Sequence, residues 1–242
     1  MLLIAMTDSI GLSIHLGRRQ LGYEPVEITP GLSALAIDRP KALDEYLRLQ
    51  LHVPLNPAAR SFAVLAETVP GIRDAVTIGK VAFETWSDDW DLVIADGPPL
   101  GQIESYLGAP ATVAGLVPSG RVQQQAAAME DLLANDAESG LVITTLPEEL
   151  AVTETLESLE RLETEPLSDV AAVVTNRVLE PLGADYGILA PGPAREAAEM
   201  HTALVDAQKE WMTKLPPGPT LPYLFGLMTP EEVAARLADA LP

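Results

Sequence analysis

The sequence predicts an α/β fold in which a mostly parallel β-sheet is flanked by helices and carries a helical subdomain. Five short apolar runs alternate along the chain with stretches of helical periodicity. The runs are continuously apolar rather than alternating, which is typical of strands buried on both faces of a parallel sheet. Three of the runs are followed by polar residues, and open α/β sheets bind their ligands at that end of the strands.

Turn-forming or charged residues bound each predicted strand. The first strand is followed by Thr7 and Asp8, and the third runs into Asp96 and Gly97. Each run is four to six residues long, which suits a strand better than a buried helix. The five predicted strands span residues 2–6, 32–37, 92–95, 141–145 and 170–174.

Helical periodicity is clearest in three segments. Residues 40–51 and 150–162 repeat leucines and other apolar residues at helical spacing. The last helix begins with a capping box, in which Thr229 is the N-cap, a proline follows at the first helical position, and Glu232 is the third. Residues 215–222, which read LPPGPTLP, predict an extended connector because proline opposes a helix.

Composition excludes several classes of function. The chain has 242 residues, of which 48% are hydrophobic, and a formal net charge of -20. Such a charge repels phosphate backbones, so we expect no nucleic-acid partner. No apolar run approaches the roughly 18 residues of a membrane-spanning helix, and the N-terminus lacks the basic flank of a signal peptide. We therefore expect a cytoplasmic protein without a transmembrane segment.

Metal and thiol chemistry based on cysteine is also excluded. The chain contains no cysteine, which removes disulfides, thiolate metal sites and thiol nucleophiles. Its three histidines, His15, His52 and His201, are far apart in sequence. We expect them to be ordinary polar residues rather than a metal cage.

Polar side chains at three strand ends are the candidates for chemistry. Asp8 follows the first strand, Asp96 ends the third, and Asn176 follows the fifth. Because the carboxyl ends of parallel strands meet at one edge of a sheet, we expect all three around a single cleft. Carboxylates hold magnesium in nucleotide sites. The same residues also fit ordinary turns, since Asp-Gly and Asn favour them, and the residues alone leave both interpretations open.

Residues 91–103, which read DLVIADGPPLGQI, resemble the switch II segment of the ArsA family of anion-transporting ATPases. That family includes the arsenite-pump ATPase and the targeting ATPase for tail-anchored membrane proteins. Four other segments resemble the family in the same order along the chain. They are residues 7–17 (switch I), residues 69–74 with 78–80 (a loop of the helical lobe), residues 144–156 (TTLPEELAVTETL) and residues 173–178 (VVTNRV).

The resemblance implies ATP and magnesium as cofactors and assigns a role to each matching residue. Asp8 resembles the acid that orients the attacking water, and Asp96 resembles the acid that reaches magnesium. Asn176 resembles the residue that hydrogen-bonds the adenine edge, with Pro222 and Tyr223 beside the base. The cofactor-binding switch II loop is formed by four residues: Gly97, Pro98, Pro99 and Gly101.

Two departures from the family bear on activity. The Lys-Gly-Gly-x-Gly-Lys-Ser/Thr loop that holds the phosphates is absent, and Gly79-Lys80 lacks its other residues. The chain resembles the family from its second strand onward, so we expect either a missing upstream segment or a partner chain that fills the gap. Leu100 stands where the family has a small or hydroxyl residue and cannot hydrogen-bond a phosphate. The chain is predicted to be inactive alone.

The resemblance implies a single domain over residues 1–242, with a helical lobe formed by residues 40–86 and 102–133. It implies an ATPase subunit that couples ATP hydrolysis to an unknown protein or anion client, paired with itself or with a sister subunit. The alternative is a non-hydrolysing pseudo-ATPase that acts as a scaffold. Six apolar positions in the lobe are expected in the core: Leu47, Leu51, Leu65, Val69, Leu107 and Leu116.

Overall fold

A computed structural model describes residues 1–49, 71–116, 119–165, 167–183 and 185–241. The chain forms two compact units, each with its own sheet. Unit 1 comprises Met1–Ser139 and Pro166–Asp169, and unit 2 comprises Gly140–Glu165 and Val170–Pro242. Within the described ranges, no helix is both long enough and apolar enough to cross a membrane.

The sheet of unit 1 has four strands in the order β2-β3-β1-β4. β1 lies between β3 and β4 and is parallel to both, while β2 adds to the outer side of β3 in antiparallel orientation. The turn between β2 and β3 contains Gly31, whose φ of 83° favours glycine. The strands are β1 (Leu2–Ala5), β2 (Val26–Thr29), β3 (Leu32–Ala36) and β4 (Val93–Asp96).

Helices of unit 1 pack on the sheet through a continuous apolar core. Residues of three helices, among them Ile78, Tyr106 and Met129, surround Met6 at the end of β1. Leu2 and Ile4 of β1 are fully buried beneath the same layer. The helices are α1 (Ile10–His15), α2 (Arg39–Leu49), α3 (Ile72–Thr85), α4 (Leu100–Leu107), α5 (Ala109–Leu116) and α6 (Arg121–Ala134).

Unit 2 has a three-stranded parallel sheet in the order β5-β6-β7. Val152 and Thr155, on the helix between β5 and β6, are fully buried. Gly218 lies so close to the backbone of Val173 that a Cβ would overlap its carbonyl oxygen, so the approach to β7 requires glycine. The elements are β5 (Leu141–Thr145), α7 (Glu149–Thr164), β6 (Val170–Val178), a 3₁₀ turn (Tyr186–Ile188), α8 (Pro193–Met212), β7 (Thr220–Pro222) and α9 (Pro230–Ala238).

The predicted fold class is confirmed, as are all five predicted strands, with ends that shift by a few residues at most. The capping box is also confirmed, since Thr229 accepts from the N–H of Glu232 and the Glu232 carboxylate accepts from the N–H of Thr229. Two strands were not predicted. β2 is short and mostly exposed, and β7 lies inside the proline-rich connector, so neither shows the apolar run of a buried strand.

Two expectations for the helical lobe are wrong. Gly79 and Lys80 lie inside α3 rather than in a loop, because the apolar residues around them repeat at helical spacing. Leu116, expected in the core, is 61% exposed at the end of α5, where fewer neighbours surround it. Leu47 and Leu107 are buried as expected, whereas Leu51, Leu65 and Val69 lie outside the described residues. That the whole chain forms one domain stays a prediction.

A buried lysine joins α2 and α3 in unit 1. Nζ of Lys80 lies 2.8 Å from a carboxylate oxygen of Glu45 and 2.8 Å from one of Glu84. Tyr23 donates a hydrogen bond to the same oxygen of Glu45, and Trp90 donates one to Glu84. Burial alone would lower the pKa of Lys80, but the hydrogen bonds and charges of the two glutamates outweigh it and raise the pKa.

Lys80→Met should reduce the free energy of unfolding by about 3 kcal/mol, because two buried carboxylates would lose their counter-charge. Lys209→Met, which breaks an exposed pair with Asp206 at 3.6 Å, is the matched control and should cost less than about 1 kcal/mol. Because the folded-state pKa of Lys80 is raised, its contribution should persist through neutral pH and disappear as the pH rises above the folded pKa. Urea unfolding at several pH values measures both effects. Equal losses in the two variants would contradict the assignment.

Candidate functional site

Two acidic residues lie at the carboxyl edge of the sheet of unit 1. Asp96 is the last residue of β4 and is paired in register with Ala5, the last residue of β1. Asp8 follows three residues after Ala5. Because β1 and β4 are parallel neighbours, both acids belong to the edge at which α/β sheets bind ligands.

The carboxylate of Asp96 has no ion-pair or hydrogen-bond partner among the residues that the structure describes. Asp96 is exposed, yet its surroundings exclude enough water that desolvation raises the pKa of its carboxyl group above the ordinary value. A carboxylate held this way gains from any cation that replaces the lost water. Asp96 is therefore free to bind a ligand rather than committed to a structural contact.

Asp8 is partly committed to the backbone. Its Oδ1 accepts a hydrogen bond of 3.0 Å from the N–H of Ile10, at the start of α1. Ser9, the N-cap residue of α1, makes no side-chain capping bond, so Asp8 serves that purpose from one position earlier. The turn interpretation thus holds for one oxygen of Asp8, and the second oxygen has no contact within the described part of the chain.

The loop after Asp96 enters helix α4 directly. Gly97 and Pro98 lead to Pro99, the N-cap residue, and Leu100 is the first residue of the helix. No side chain caps this helix start, so its first backbone N–H groups carry the partial positive charge of an uncapped N-terminus. Their position beside Asp96 in sequence is what a magnesium-bound phosphate requires.

Neither glycine of the loop is required by its own backbone. Gly97 and Gly101 both lack a positive φ, and a Cβ on Gly97 would meet only Ile103 at an ordinary 3.6 Å. A Cβ on Gly101 would point into open space. The glycines keep the space beside the loop clear rather than permitting its conformation.

The outer edge of β4 is unpaired within the described residues. The N–H of Leu2 donates to the carbonyl of Leu92, at 2.8 Å, and the N–H of Met6 donates to the carbonyl of Asp96, at 3.1 Å. Even-numbered residues of β4 therefore face β1, and the N–H groups of Val93 and Ala95 face outward. The side chains of Leu92 and Ile94 are 52% and 45% exposed.

Asn176 lies in unit 2, at an irregularity of β6. The register with β7 shifts between Thr175 and Val178, so β6 contains an extra residue there. Arg177 adopts a φ of 58°, which is strained for a residue with a side chain. Oδ1 of Asn176 accepts a 2.8 Å hydrogen bond from the N–H of Arg177, so the turn interpretation holds for this oxygen.

Gln208 of α8 supports the irregularity from the other side. Its Oε1 accepts from the N–H of Leu179 at 2.8 Å, and its Nε2 donates to the carbonyl of Arg177 at 3.3 Å. One side-chain amide thus replaces the strand partners that the extra residue displaces. The amide nitrogen of Asn176 has no partner among the described residues and remains available as a donor.

An aromatic group follows β7 on the same sheet. Pro222 is paired in register with Val178, and the N–H of Tyr223 donates to the carbonyl of Val178 at 2.8 Å. The rings of Tyr223 and Phe225 lie 4.7 Å apart and are 44% and 64% exposed. Exposed rings next to an amide donor suit recognition of a planar base.

The sequence-predicted residues thus divide between the units. Asp8, Asp96 and the switch II loop belong to unit 1, and Asn176 belongs to unit 2, so their convergence around a single cleft stays a prediction. Within the described ranges, no three acidic or histidine residues gather as a metal cage. Sequence reasoning missed the edge of β4 and the support from Gln208, because pairing across a sheet leaves no local signal.

Asp96→Asn should raise the melting temperature of the chain at pH 7. The raised pKa means that the ionised carboxylate is disfavoured by folding, so a neutral isostere removes that cost. The gain should shrink as the pH falls through the ordinary aspartate range, because protonation then removes the charge in both states. Asp91→Asn, at the other end of β4, controls for net charge. A loss of stability in Asp96→Asn at pH 7 would contradict the electrostatic assignment.

Comparison with known proteins finds ATPases. No protein-family model matches the chain. Over 156 residues the chain is 33% identical to ATPase BagA of Mycobacterium tuberculosis and to Putative ATPase Mb3704 of Mycobacterium bovis. The matched region covers 60% of this chain but 45% of each relative, so it spans less than half of their length. The chain is therefore similar, over that region, to proteins that are named as ATPases.

Proposed function

We propose that the chain is the catalytic part of an ArsA-like ATPase whose phosphate-binding loop comes from a further polypeptide segment. The observation that carries this proposal is the pair of aspartates at the carboxyl ends of β1 and β4. One of them, Asp96, has a carboxylate without a structural partner among the described residues and with a raised pKa. The relatives named as ATPases support the same conclusion.

The acidic edge fits magnesium. Magnesium is usually held by one or two carboxylates together with waters and substrate phosphates, rather than by a cage of protein ligands. A single available carboxylate at Asp96, without a surrounding acidic cluster in the described ranges, matches that pattern. In the proposed site Asp96 holds the ion through water, and the second oxygen of Asp8 orients the attacking water.

The phosphates do not find a complete site in these 242 residues. The uncapped start of α4 offers backbone N–H groups, but the sequence has no Gly-Lys-Ser/Thr loop to surround the phosphates. The outer edge of β4 offers unpaired N–H groups of Val93 and Ala95 to a further strand. A strand paired there in parallel would end at the same sheet edge as Asp96, which is where its following loop is needed.

Base recognition is proposed for unit 2. The amide nitrogen of Asn176 donates to the base, while Tyr223 and Phe225 offer exposed rings beside it. The strained backbone of Arg177 supports this role, because such strain is concentrated at functional sites. The proposal requires the two units to enclose one nucleotide between them.

Coupling to a client is the remaining part of the proposal. The switch II loop enters α4 without an intervening turn, so a change at Asp96 is transmitted to the helices of unit 1. An ATPase of this kind acts as a dimer, with itself or with a sister subunit, on a protein or anion client. The absence of cysteine opposes thiolate binding of arsenite.

A second candidate function is a non-hydrolysing scaffold. Leu100 favours it, because the first residue of α4 presents an apolar side chain where a hydroxyl would contact a phosphate or the attacking water. In that case a completed site would bind nucleotide without turnover. The same experiment separates the two functions.

The test compares the chain alone with the chain completed by an apolar strand and a Lys-Gly-Gly-x-Gly-Lys-Ser/Thr loop. The segment is supplied either fused before Met1 or as a separate co-expressed polypeptide. Calorimetry measures the affinity for magnesium-ATP, and phosphate release measures turnover. We expect the chain alone to show no turnover and either completed form to bind at least about 100-fold more tightly, because the loop supplies preorganised donors.

Three variants of the completed form sharpen the test. Asp96→Asn should abolish the magnesium dependence of binding, and Asp8→Asn should reduce turnover more than binding. Asp91→Asn removes the same charge at the opposite end of β4 and should change neither. Binding without turnover that Leu100→Ser restores would favour the scaffold. Magnesium-dependent turnover by the chain alone, lost in Asp96→Asn, would contradict the need for an added loop.

A further inference from the structure

Unit 1 contains a cavity of about 280 Å³ between helices α2, α3, α5 and α6. Nearly all of the groups that line it are apolar, and they come from all four helices. The cavity is separate in sequence from the acidic edge, since neither Asp8 nor Asp96 lines it. Its apolar lining includes Leu43, Tyr46, Val76, Trp86, Val113 and Met129.

Charged groups reach this cavity at one place, where Glu45 and Lys80 line it. Oε2 of Glu45 accepts hydrogen bonds from Lys80 and Tyr23. No donor from the described part of the chain reaches its Oε1, so an acceptor remains available. Together with Glu84, the cluster has two carboxylates for one ammonium and a formal charge of -1. The wall therefore favours a hydrogen-bond donor and disfavours an anion.

Gly79 keeps the cavity open. It lies in the interior of α3, where glycine weakens a helix, and its φ is not positive. A Cβ at this position would meet only Sδ of Met129, at an ordinary 3.5 Å. Neither backbone conformation nor close packing explains the glycine, whereas any larger side chain would occupy part of the cavity.

The volume sets the size of an occupant. An apolar cavity of about 150 Å³ stays free of water and binds benzene, and pockets for drug-sized ligands begin near 300 Å³. A cavity of about 280 Å³ therefore suits a ring with a short aliphatic chain, or a chain of similar bulk. Most of such a ligand would be out of water, so its apolar surface supplies the affinity.

We propose that this cavity binds a small, largely apolar ligand whose single polar group donates a hydrogen bond to Glu45. The apolar walls supply the affinity, and the net negative cluster selects the head group. The site is distinct from the proposed nucleotide site and requires no nucleotide. Its test therefore stands or falls independently of the proposed ATPase activity.

Three probes with one apolar body and different head groups test the proposal on the full chain. Butylbenzene has no polar group, 4-phenylbutylamine donates, and 4-phenylbutyrate is an anion. Calorimetry and thermal unfolding should show saturable binding of butylbenzene and of the amine. We expect the amine to bind at least about tenfold more tightly than the carboxylate, because only the amine forms a charge-assisted hydrogen bond.

Two substitutions locate the ligand. Gly79→Leu should fill the cavity and abolish binding of all probes, while Gly79→Ala, which adds only a Cβ, should retain most of it. Glu45→Gln should reduce the preference for the amine over the carboxylate and leave butylbenzene unchanged. Circular dichroism confirms the fold of each variant, and Val76→Phe replaces Gly79→Leu if that variant does not fold.

Several results would overturn the proposal. The cavity would not be a binding site if no probe bound saturably, or if every probe bound the filled variant as well as the original chain. Glu45 would not be the acceptor if the carboxylate bound most tightly, or if Glu45→Gln left the amine preference intact.

Discussion

Backbone hydrogen bonds on both sides of β1 hold unit 1 together, and their register decides which residues reach the edge of the sheet. β1 pairs in parallel with β3 and with β4, and this pairing places Asp96 beside the end of β1. The helices α3, α4 and α6 then pack against the end of β1 around Met6. A one-residue slip of β4 would turn Asp96 to the opposite face, so the acidic edge depends on this register.

The same pairing leaves β4 with an outer row of backbone groups that no described residue satisfies. Natural sheets protect such edges with charges, prolines or bulges, yet β4 is a continuous apolar run typical of a central strand. β5, an edge strand of the other sheet, is similar, with Val142 57% exposed. A further strand on β4 would satisfy its backbone and complete the phosphate site with one addition, which is why the proposed function and the fold share one requirement.

Sequence predicted the parts of the structure that rest on local signals. Apolar runs identified the buried strands, and the Thr229 capping box fixed the start of α9. Features that depend on distant partners could not be predicted in this way. The lysine cluster joins Lys80 to Glu45, 35 residues away, and the left-handed Arg177 is supported by Gln208 from another helix. The turn contact of Asp8 was among the open alternatives, but only the structure shows that it uses a single oxygen.

Amide hydrogen exchange at Val93 and Ala95 tests the central claim most directly. If the outer edge of β4 is free, these two amides should exchange rapidly in the 242-residue chain, while the amides of β1 remain protected on both sides. Addition of the strand and phosphate loop should then protect Val93 and Ala95 to the level of β1. Protection of both amides in the chain alone would show that the edge is already covered and would contradict the account.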